Sequence, residues 1–370
     1  MKDFIMPDYK RCNLNISATL AEFLGAPNRI PTLPVIKKEL SKNYKNIVFI
    51  CFDGFGIEPI NRNLPPDDFL RQNIVDTLVS TFPSTTTNAT TSLLFNKYPL
   101  EHGWFGWSMY YEDINSNIDI FTNRNSVTRT YVDNLSSPLG IFDYYFDNAT
   151  SEYSINTVFP PYVRVTHPER NTVINTVEDL GNAVQNICGR QGKQFIYAYH
   201  GEPDSTMHKF GVTSEVSKQV IKTVSSIVRN LFNSVKDTLF IITADHGQID
   251  VEDYVDLSED KELMYMLKIY PFMEARAPAF IVKDGKAEAF ERYFKEKYND
   301  DFILYSSKEL VEKGFFGEYG DKSHLLGDYI AIGTYTHKQA ILVPYQTRYK
   351  GHHTSLTEEM EVPLIMFGEI

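Results

Sequence analysis

The strongest hydrophobic pattern in the chain is a set of short runs in which nearly every position is apolar. These runs occupy residues 47–52, 195–199 and 238–243. A strand with one face in water alternates apolar and polar residues, whereas a uniformly apolar strand is covered on both faces. The three runs therefore predict buried strands of a mostly parallel sheet.

Helical periodicity fills the segments between these strands. From about 214 to 232, apolar residues recur at helical spacing, and Ser214 or Thr213 can cap the helix. A second helix is predicted at about 177–187, and a last strand at 363–367. Strands that alternate with helices indicate an α/β fold, in which a doubly wound, mostly parallel sheet carries helices on both faces.

The stretch 261–345 has a different pattern, with short strands around one charged helix. Strands are predicted at 279–282, 302–305 and 329–332, and the helix at 287–298. We therefore divide the chain into an N-terminal lead-in (1–44), a catalytic core (45–260 and 346–370) and a small α+β insertion (261–345). From its position we expect the insertion to cover the site and set specificity.

The composition and net charge limit the kinds of molecule that the protein is expected to bind. The 370 residues are 42% hydrophobic, which is enough to form a sizeable core, and the formal net charge is −12. An acidic surface repels nucleic-acid backbones and anionic membranes, so no nucleic-acid or membrane partner is expected. A phosphate ligand would need local cations, which favours bound metal.

The cysteines and the apolar runs indicate in which cellular compartment the protein is expected. Cys12, Cys51 and Cys188 form an odd set, and Cys51 lies within the first predicted strand, so a disulfide framework is not expected. The first residues carry no apolar leader, and no apolar run reaches the length of a membrane-spanning helix. We expect a cytoplasmic protein. Its oligomeric state is left open, and a homo-oligomer is one alternative.

Candidate chemistry is concentrated where the predicted strands end. Ligands of open α/β sheets bind at the carboxyl ends of the strands, so the residues that follow each strand are informative. Acidic and imidazole side chains follow three of the predicted strands and also come just before the last strand. They are Asp53, Asp204, His208, Asp245, His246, His352 and His353.

Considered singly, each of these residues could be a turn former or a hydrogen-bonded structural side chain. Their recurrence at one edge of the sheet is what indicates a site. A set of three carboxylates and three imidazoles suits two adjacent divalent ions, zinc by preference and manganese as the alternative. Such a set is formed by Asp53, Asp204, His208, Asp245, His246 and His353.

A run rich in Ser and Thr, residues 81–92, precedes an apolar stretch and is predicted to open a helix. A hydroxyl at a helix N-terminus benefits from backbone N–H donors that also attract phosphate. A neighbouring metal can activate that hydroxyl as a nucleophile. The alternative is that the run only caps the helix.

The motifs resemble those of the alkaline phosphatase superfamily, and most closely the type I phosphodiesterase/nucleotide pyrophosphatase family. The resemblance covers residues from about 45 to 260 and the last twenty residues, with the pieces in the family's order. The matching pieces are Phe-Asp-Gly-Phe-Gly (52–56), Phe-Pro-Ser-Thr-Thr (82–86), Tyr-Pro-Leu-Glu-His-Gly (98–103), Pro-Asp (203–204) with His208 and Gly211, Thr-Ala-Asp-His-Gly (243–247), and Gly-His-His (351–353) with Glu-Met-Glu-Val-Pro-Leu (359–364).

The resemblance implies a role for each site residue. One metal would be held by Asp53, Thr86, Asp245 and His246, and the other by Asp204, His208 and His353. Thr86 would be the nucleophile, at the family's usual distance before Tyr98, with Thr85 as the alternative. His352 stays an alternative to His353, because Thr354 replaces the last glycine of the family's Gly-x-His-Gly loop.

The implied function is hydrolysis of small phosphate esters through a phospho-threonine intermediate. The nucleotide-cleaving relatives carry an asparagine about twenty residues after the nucleophile, whereas this chain has Phe-Gly-Trp-Ser at 105–108. Nearby, Trp104, Trp107, Tyr110 and Tyr111 could line the site or belong to the core or an interface.

Three other enzymes of the superfamily remain as alternatives: a phosphomonoesterase, a phosphonate hydrolase and a phosphomutase. A sulfatase is disfavoured, because the nucleophile region lacks the cysteine that sulfatases modify. An alternative of another class is a non-catalytic binding protein that keeps the fold.

Overall fold

The computed structural model describes residues 3–133 and 142–370. Its α-helices are α1 Leu14–Phe23, α2 Pro34–Leu40, α3 Ile57–Asn63, α4 Phe69–Gln72, α5 Thr86–Phe95, α6 Pro99–His102, α7 Val177–Cys188, α8 Asp204–Phe210, α9 Glu215–Ser234, α10 Lys261–Met266, α11 Ala287–Tyr298 and α12 Ser307–Glu312. Its strands are β1 Asn46–Phe52, β2 Ile74–Val79, β3 Ser108–Tyr111, β4 Ser116–Asp119, β5 Arg124–Asn125, β6 Ser154–Phe159, β7 Asn171–Val173, β8 Gln194–His200, β9 Thr238–Thr243, β10 Ile249–Asp250, β11 Asp253–Asp256, β12 Phe272–Glu274, β13 Ala277–Phe280, β14 Phe302–Ser306, β15 Tyr329–Gly333, β16 Lys338–Ile341, β17 Gly351–His352 and β18 Glu361–Glu369.

The central sheet has seven strands in the order β2-β18-β9-β1-β8-β6-β7. The strands from β9 to β7 pair in parallel, whereas β18 runs antiparallel to both of its neighbours. Every residue of β1, β8 and β9 is buried, as the apolar runs within these strands predict. The prediction of a mostly parallel α/β sheet is confirmed.

The helices around this sheet form two groups. In one group α9 packs against α3, α4, α7 and α8, and in the other α1 packs against α2 and α5. Two of the predicted helices are observed at almost their predicted bounds, as α7 and α9, because both carry a clear apolar face. No helix in the described parts of the chain has the length and apolar composition needed to cross a membrane.

A second sheet packs beside the first and is antiparallel throughout, in the order β14-β15-β13-β12-β3-β4-β5. Four of its strands, β12 to β15, come from the segment 261–345 that we identified as an insertion. The other three, β3 to β5, come from residues 108–125, inside the segment assigned to the core. The second sheet therefore extends beyond 261–345.

The N-terminal lead-in is integrated into the core. Cys12 forms a bridge with Val79 at the end of β2, and the backbone N–H of Asn13 donates to the carbonyl of Val79 at 2.9 Å. Most of α1 is buried, including Ile16 and Leu20, which join the main hydrophobic core. The segment before β1 therefore covers part of the sheet that carries the candidate site.

Candidate metal centre and active site

Asp53 and Thr86 meet at the edge of the central sheet. Asp53 directly follows β1, and Thr86 is the first residue of α5. The Thr86 Oγ1 atom lies 3.2 and 3.3 Å from the two carboxylate oxygens of Asp53 and 3.1 Å from Nε2 of His246. The structure thus places the predicted nucleophile against two of its predicted neighbours.

Asp245 and His246 follow β9, the strand next to β1. Asp245 Oδ1 accepts hydrogen bonds from the backbone N–H groups of Gly54 and His246, at 3.1 and 2.9 Å. His246 Nδ1 lies 2.8 Å from the carbonyl of Gly247, which can only accept, so Nδ1 carries the proton. Nε2 faces Asp53 and Asp245, whose nearest oxygens lie 3.3 and 3.5 Å away.

Asp204 and His208 stand one turn apart on α8, which follows β8. His208 Nε2 lies 3.4 Å from Asp204 Oδ1, while its Nδ1 donates to the carbonyl of Gly351 at 2.8 Å. His353 Nε2 lies 4.0 Å from the same Asp204 oxygen. The structure brings these three predicted ligands together, although His353 lies far along the chain from the α8 pair.

The ligand atoms form three overlapping groups, in each of which all atoms lie within 4.8 Å of one another. The groups are Asp53-Asp245-His246, Asp204-His246-His353 and His208-His352-His353. His353 belongs to a group with Asp204, whereas His352 groups only with other imidazoles. His352 Nδ1 also accepts the backbone N–H of His353, at 2.8 Å, so the geometry favours His353 as the ligand beside Asp204.

The buried charges of this cluster perturb one another. Burial raises the pKa of Asp53 well above its usual range, with further contributions from the charges of Asp245 and Asp204. Burial also raises the pKa of Asp245 to about 7. For His353, burial and then the neighbouring imidazoles lower the pKa well below its usual range.

These shifts describe carboxylates and imidazoles that are buried without enough opposing charge. Asp245 Oδ2 is buried and, among the described residues, has no hydrogen-bond partner. A bound divalent cation would supply such a partner and would keep both carboxylates ionised and the imidazoles neutral. The residues present therefore fit a site for divalent metal.

Three further side chains contact the site and were not predicted from the sequence. Tyr199, in β8, donates its hydroxyl proton to Asp53, and Gln248 donates to the side chain and backbone of Asp204. Glu274, in the second sheet, accepts a hydrogen bond from Thr85. Tyr199 and Gln248 adjoin the motifs at His200 and 243–247, which could have indicated them, but no sequence signal indicates Glu274.

A cleft of about 1220 Å³ opens over the cluster. It is lined by Thr86, by the candidate metal ligands and by aromatic side chains, among them Trp104 and Trp107 from the loop before β3 and Tyr111 from β3 itself. Tyr110 is not among the lining residues, and its ring packs on Phe272 instead. Three of the four aromatic residues considered from the sequence thus line the cleft.

The comparisons with known proteins agree with the motifs. The sequence model of the family described as type I phosphodiesterase / nucleotide pyrophosphatase matches residues 47–333. The rat protein named ectonucleotide pyrophosphatase/phosphodiesterase family member 7 is 46% identical over 124 residues, which are 32% of this chain and 24% of that protein. The mouse protein of that name is 46% identical over 62 residues, 15% of this chain and 14% of its own length. The matched segments span about a quarter of these relatives or less.

Solved structures show the same fold over most of the chain. Murine ectonucleotide pyrophosphatase / phosphodiesterase 5 superposes with a TM-score of 0.62 at 16% identity, covering 87% of this chain and 88% of that one. An inactive form of that protein in complex with AMP gives 0.62 at 17% identity, covering 87% of each chain. Phosphonoacetate hydrolase from Sinorhizobium meliloti 1021, in complex with phosphonoformate, gives 0.61 at 13% identity, covering 87% and 90%. At these identities the likeness concerns the fold.

Proposed function

Because this chain belongs to the type I phosphodiesterase/nucleotide pyrophosphatase family, we propose that it hydrolyses small phosphate esters with Thr86 as nucleophile. The reaction would use two bound divalent cations. We assign Asp53, Thr86, Asp245 and His246 to one cation and Asp204, His208 and His353 to the other. Their mixture of nitrogen and oxygen atoms suits zinc, with manganese as the alternative.

One observation carries the proposal: the hydroxyl of Thr86 lies within 3.3 Å of both Asp53 and His246 at the start of α5. The first N–H groups of a helix attract anions, so a phosphoryl group at this position would meet a favourable dipole. Capping alone does not explain the contacts of Thr86, because its hydroxyl is directed towards a carboxylate and an imidazole.

When bound, the cations would lower the pKa of the Thr86 hydroxyl and offset the charge on the phosphoryl and leaving oxygens. The chain's own part is to position the reacting groups. The Thr86 oxygen, after losing its proton, forms a bond to phosphorus while the bond to the leaving alcohol breaks, and the departing oxygen takes up a proton. Water then cleaves the phospho-threonine and regenerates the hydroxyl.

Thr86→Ala tests the nucleophile. We expect this variant to lose turnover but to keep its bound metal, because six of the seven assigned ligands remain. Thr87→Val is a matched control, since the neighbouring Thr87 hydroxyl is buried and has no hydrogen-bond partner among the described residues. Turnover in purified Thr86→Ala at the level of Thr87→Val would rule Thr86 out.

The substrate class is a second question for the same site. The AMP complex of the murine relative favours a nucleotide ester, whereas the phosphonate hydrolase of the same fold and the Phe-Gly-Trp-Ser segment at 105–108 favour another phosphorus substrate. We propose a phosphodiester substrate. Faster turnover of bis(p-nitrophenyl) phosphate than of p-nitrophenyl phosphate supports this assignment, and the reverse order supports a monoesterase.

A protein that keeps the fold without catalysis would behave differently. Metal analysis after purification in zinc or manganese separates the two cases. We expect about two ions per chain, in line with the two ligand sets assigned above. Less than one ion per chain, together with no turnover of any ester, would favour the binding protein.

A further inference from the structure

We propose that Glu274 is a positioning residue for the reaction, which fixes the nucleophile segment at Thr85 against the cleft wall at Trp107. Glu274 comes from β12 of the second sheet, so it also connects that sheet to the site. The inference rests on the proposed role of Thr86.

The contacts of Glu274 converge on one carboxylate oxygen. Its Oε1 atom accepts a hydrogen bond from Thr85 Oγ1 at 2.6 Å and another from the backbone N–H of Trp107 at 2.8 Å. Glu274 as a whole is 5% exposed, and it lines the cleft together with Thr86. A single buried acceptor thus joins the residue before the nucleophile to Trp107, another residue that lines the cleft.

The behaviour of Thr85 supports a role beyond local stability. Thr85 is the N-cap residue of α5, a position where threonine usually accepts a hydrogen bond from a backbone N–H of its own helix. The Thr85 side chain makes no such bond, and its hydroxyl donates to Glu274 instead. The helix therefore forgoes a stabilising cap in favour of a link to the second sheet.

The backbone around Glu274 is also unusual. Met273, the preceding residue, has φ +78°, a conformation that costs a side-chain-bearing residue energy. Gly106 lies so close that an added Cβ atom would approach the carbonyl oxygen of Met273 to 2.7 Å. A strained residue and a close backbone approach both occur where β12 reaches the site, as expected if the placement of Glu274 matters.

The test compares Glu274→Ala, which removes the acceptor, with Glu274→Gln, which keeps an acceptor oxygen at nearly the same place. With metal saturating and bis(p-nitrophenyl) phosphate as substrate, we expect kcat of Glu274→Ala to fall about 10- to 100-fold, as displacement of a reacting group does. KM should change little, and Glu274→Gln should restore most of kcat. Wild-type kcat in Glu274→Ala overturns the inference, and so does a Glu274→Gln variant as slow as Glu274→Ala.

Thr85→Val is a second, independent test, because it removes the hydroxyl donor and leaves the buried carboxylate of Glu274 in place. If the hydroxyl and the carboxylate act through one bond, the kcat losses of Thr85→Val and Glu274→Ala should not multiply in the double variant. Losses that multiply in full would overturn this link.

A fluorescence measurement separates this inference from the proposed function. The chain has two tryptophans, so Trp104→Phe leaves Trp107 as the single fluorophore. In that background Glu274→Ala should shift the Trp107 emission, and Glu274→Gln should leave it nearly unchanged. An unchanged emission in Glu274→Ala overturns the inference even if the esterase activity is present. If Glu274→Ala shifts the emission but the wild-type protein has no esterase activity, the result supports the positioning of Trp107 by Glu274 and refutes the proposed function.

Discussion

The side-chain amide of Asn13 donates a hydrogen bond of 3.0 Å to the backbone carbonyl of Asp245. The same amide donates to the carbonyl of Ala244, at 3.1 Å, and Asn13 is fully buried. The N-terminal segment therefore supports the loop that carries Asp245 and His246, two assigned metal ligands.

Replacing Asn13 by Ala should weaken this support. The change removes one hydrogen bond from each of two buried carbonyl groups, while the Ser80 hydroxyl still donates to the Asp245 carbonyl and the Thr243 hydroxyl to the Ala244 carbonyl. At about 0.5–1.5 kcal/mol for each lost bond, the free energy of unfolding should fall by about 1–3 kcal/mol. Chemical denaturation of the metal-free protein measures the loss. Asn230→Ala, at an exposed position of α9, is the control and should stay within about 0.5 kcal/mol of the wild type. Equal stabilities for the two variants would contradict the role given to Asn13.

Gly56→Ala should disturb the close approach of the two loops that carry the assigned ligands Asp53 and Asp245. An added Cβ atom would lie 2.4 Å from Cα of Gly247 and 2.8 Å from the carbonyl oxygen of Glu361, and neither backbone atom can move alone. We expect a loss of about 1–3 kcal/mol in stability and weaker zinc binding by calorimetry. In the control Gly189→Ala, the nearest atom is 3.5 Å away, so both quantities should be preserved. Normal zinc affinity in Gly56→Ala would show that the loops tolerate separation.

The buried pair of Arg276 and Glu359 should be a strong stability determinant. Both side chains are inaccessible to solvent, and Arg276 Nε lies 3.1 Å from Glu359 Oε1, which also accepts the backbone N–H of Ser355 near His353. Arg276→Ala leaves a buried carboxylate unpaired and should cost about 3–5 kcal/mol.

The surface pair of Lys313 and Glu309 is the control for Arg276. Their side chains are 50% and 43% exposed, so Lys313→Ala should cost less than about 1 kcal/mol. Unfolding in urea measures both variants. Similar losses for the two would mean that burial does not strengthen the Arg276 pair.

The metal-free protein should become less stable between pH 6.5 and pH 8. The pKa of Asp245 is raised by burial to about 7, so its contribution to stability is complete below its usual pKa and is lost as the pH rises through 7. Glu274, with a pKa also raised by burial to about 7, acts in the same direction.

The imidazoles do not oppose this trend in the same window. The pKa values of His352 and His353 are lowered by burial, so their contribution is present above pH 6.5 and is lost as the pH falls. Scanning calorimetry in EDTA at pH 6.5 and pH 8 should therefore show a lower Tm at the higher pH. Saturating zinc should reduce the difference, and a metal-free Tm that rises with pH would contradict the assignment.

The sequence was most informative where one residue type determines the environment. The apolar runs of β1, β8 and β9 predicted buried strands, and the acidic and imidazole residues that follow them predicted which side chains converge. This worked because parallel strands place their carboxyl ends at one edge of a sheet.

The pairing of strands that lie far apart in the chain was much harder to predict from the sequence. β2 has the sequence Ile-Val-Asp-Thr-Leu-Val, which mixes polar and apolar positions at the edge of the sheet, and was not predicted. The strands β3 to β5 are short, and only their antiparallel partner β12, which is more than a hundred residues later in the chain, defines their place. The burial of Glu274 also depends on that pairing, so local sequence does not reveal it.

The position of β18 has a consequence for synthesis of the protein. This strand, residues 361–369, lies between β2 and β9 and pairs with both. β2 leaves the ribosome almost three hundred residues earlier, but it cannot join the sheet until β18 has emerged. His353 also emerges shortly before β18, so a ribosome-bound chain that stops before residue 350 would lack both the sheet edge and one of the assigned metal ligands.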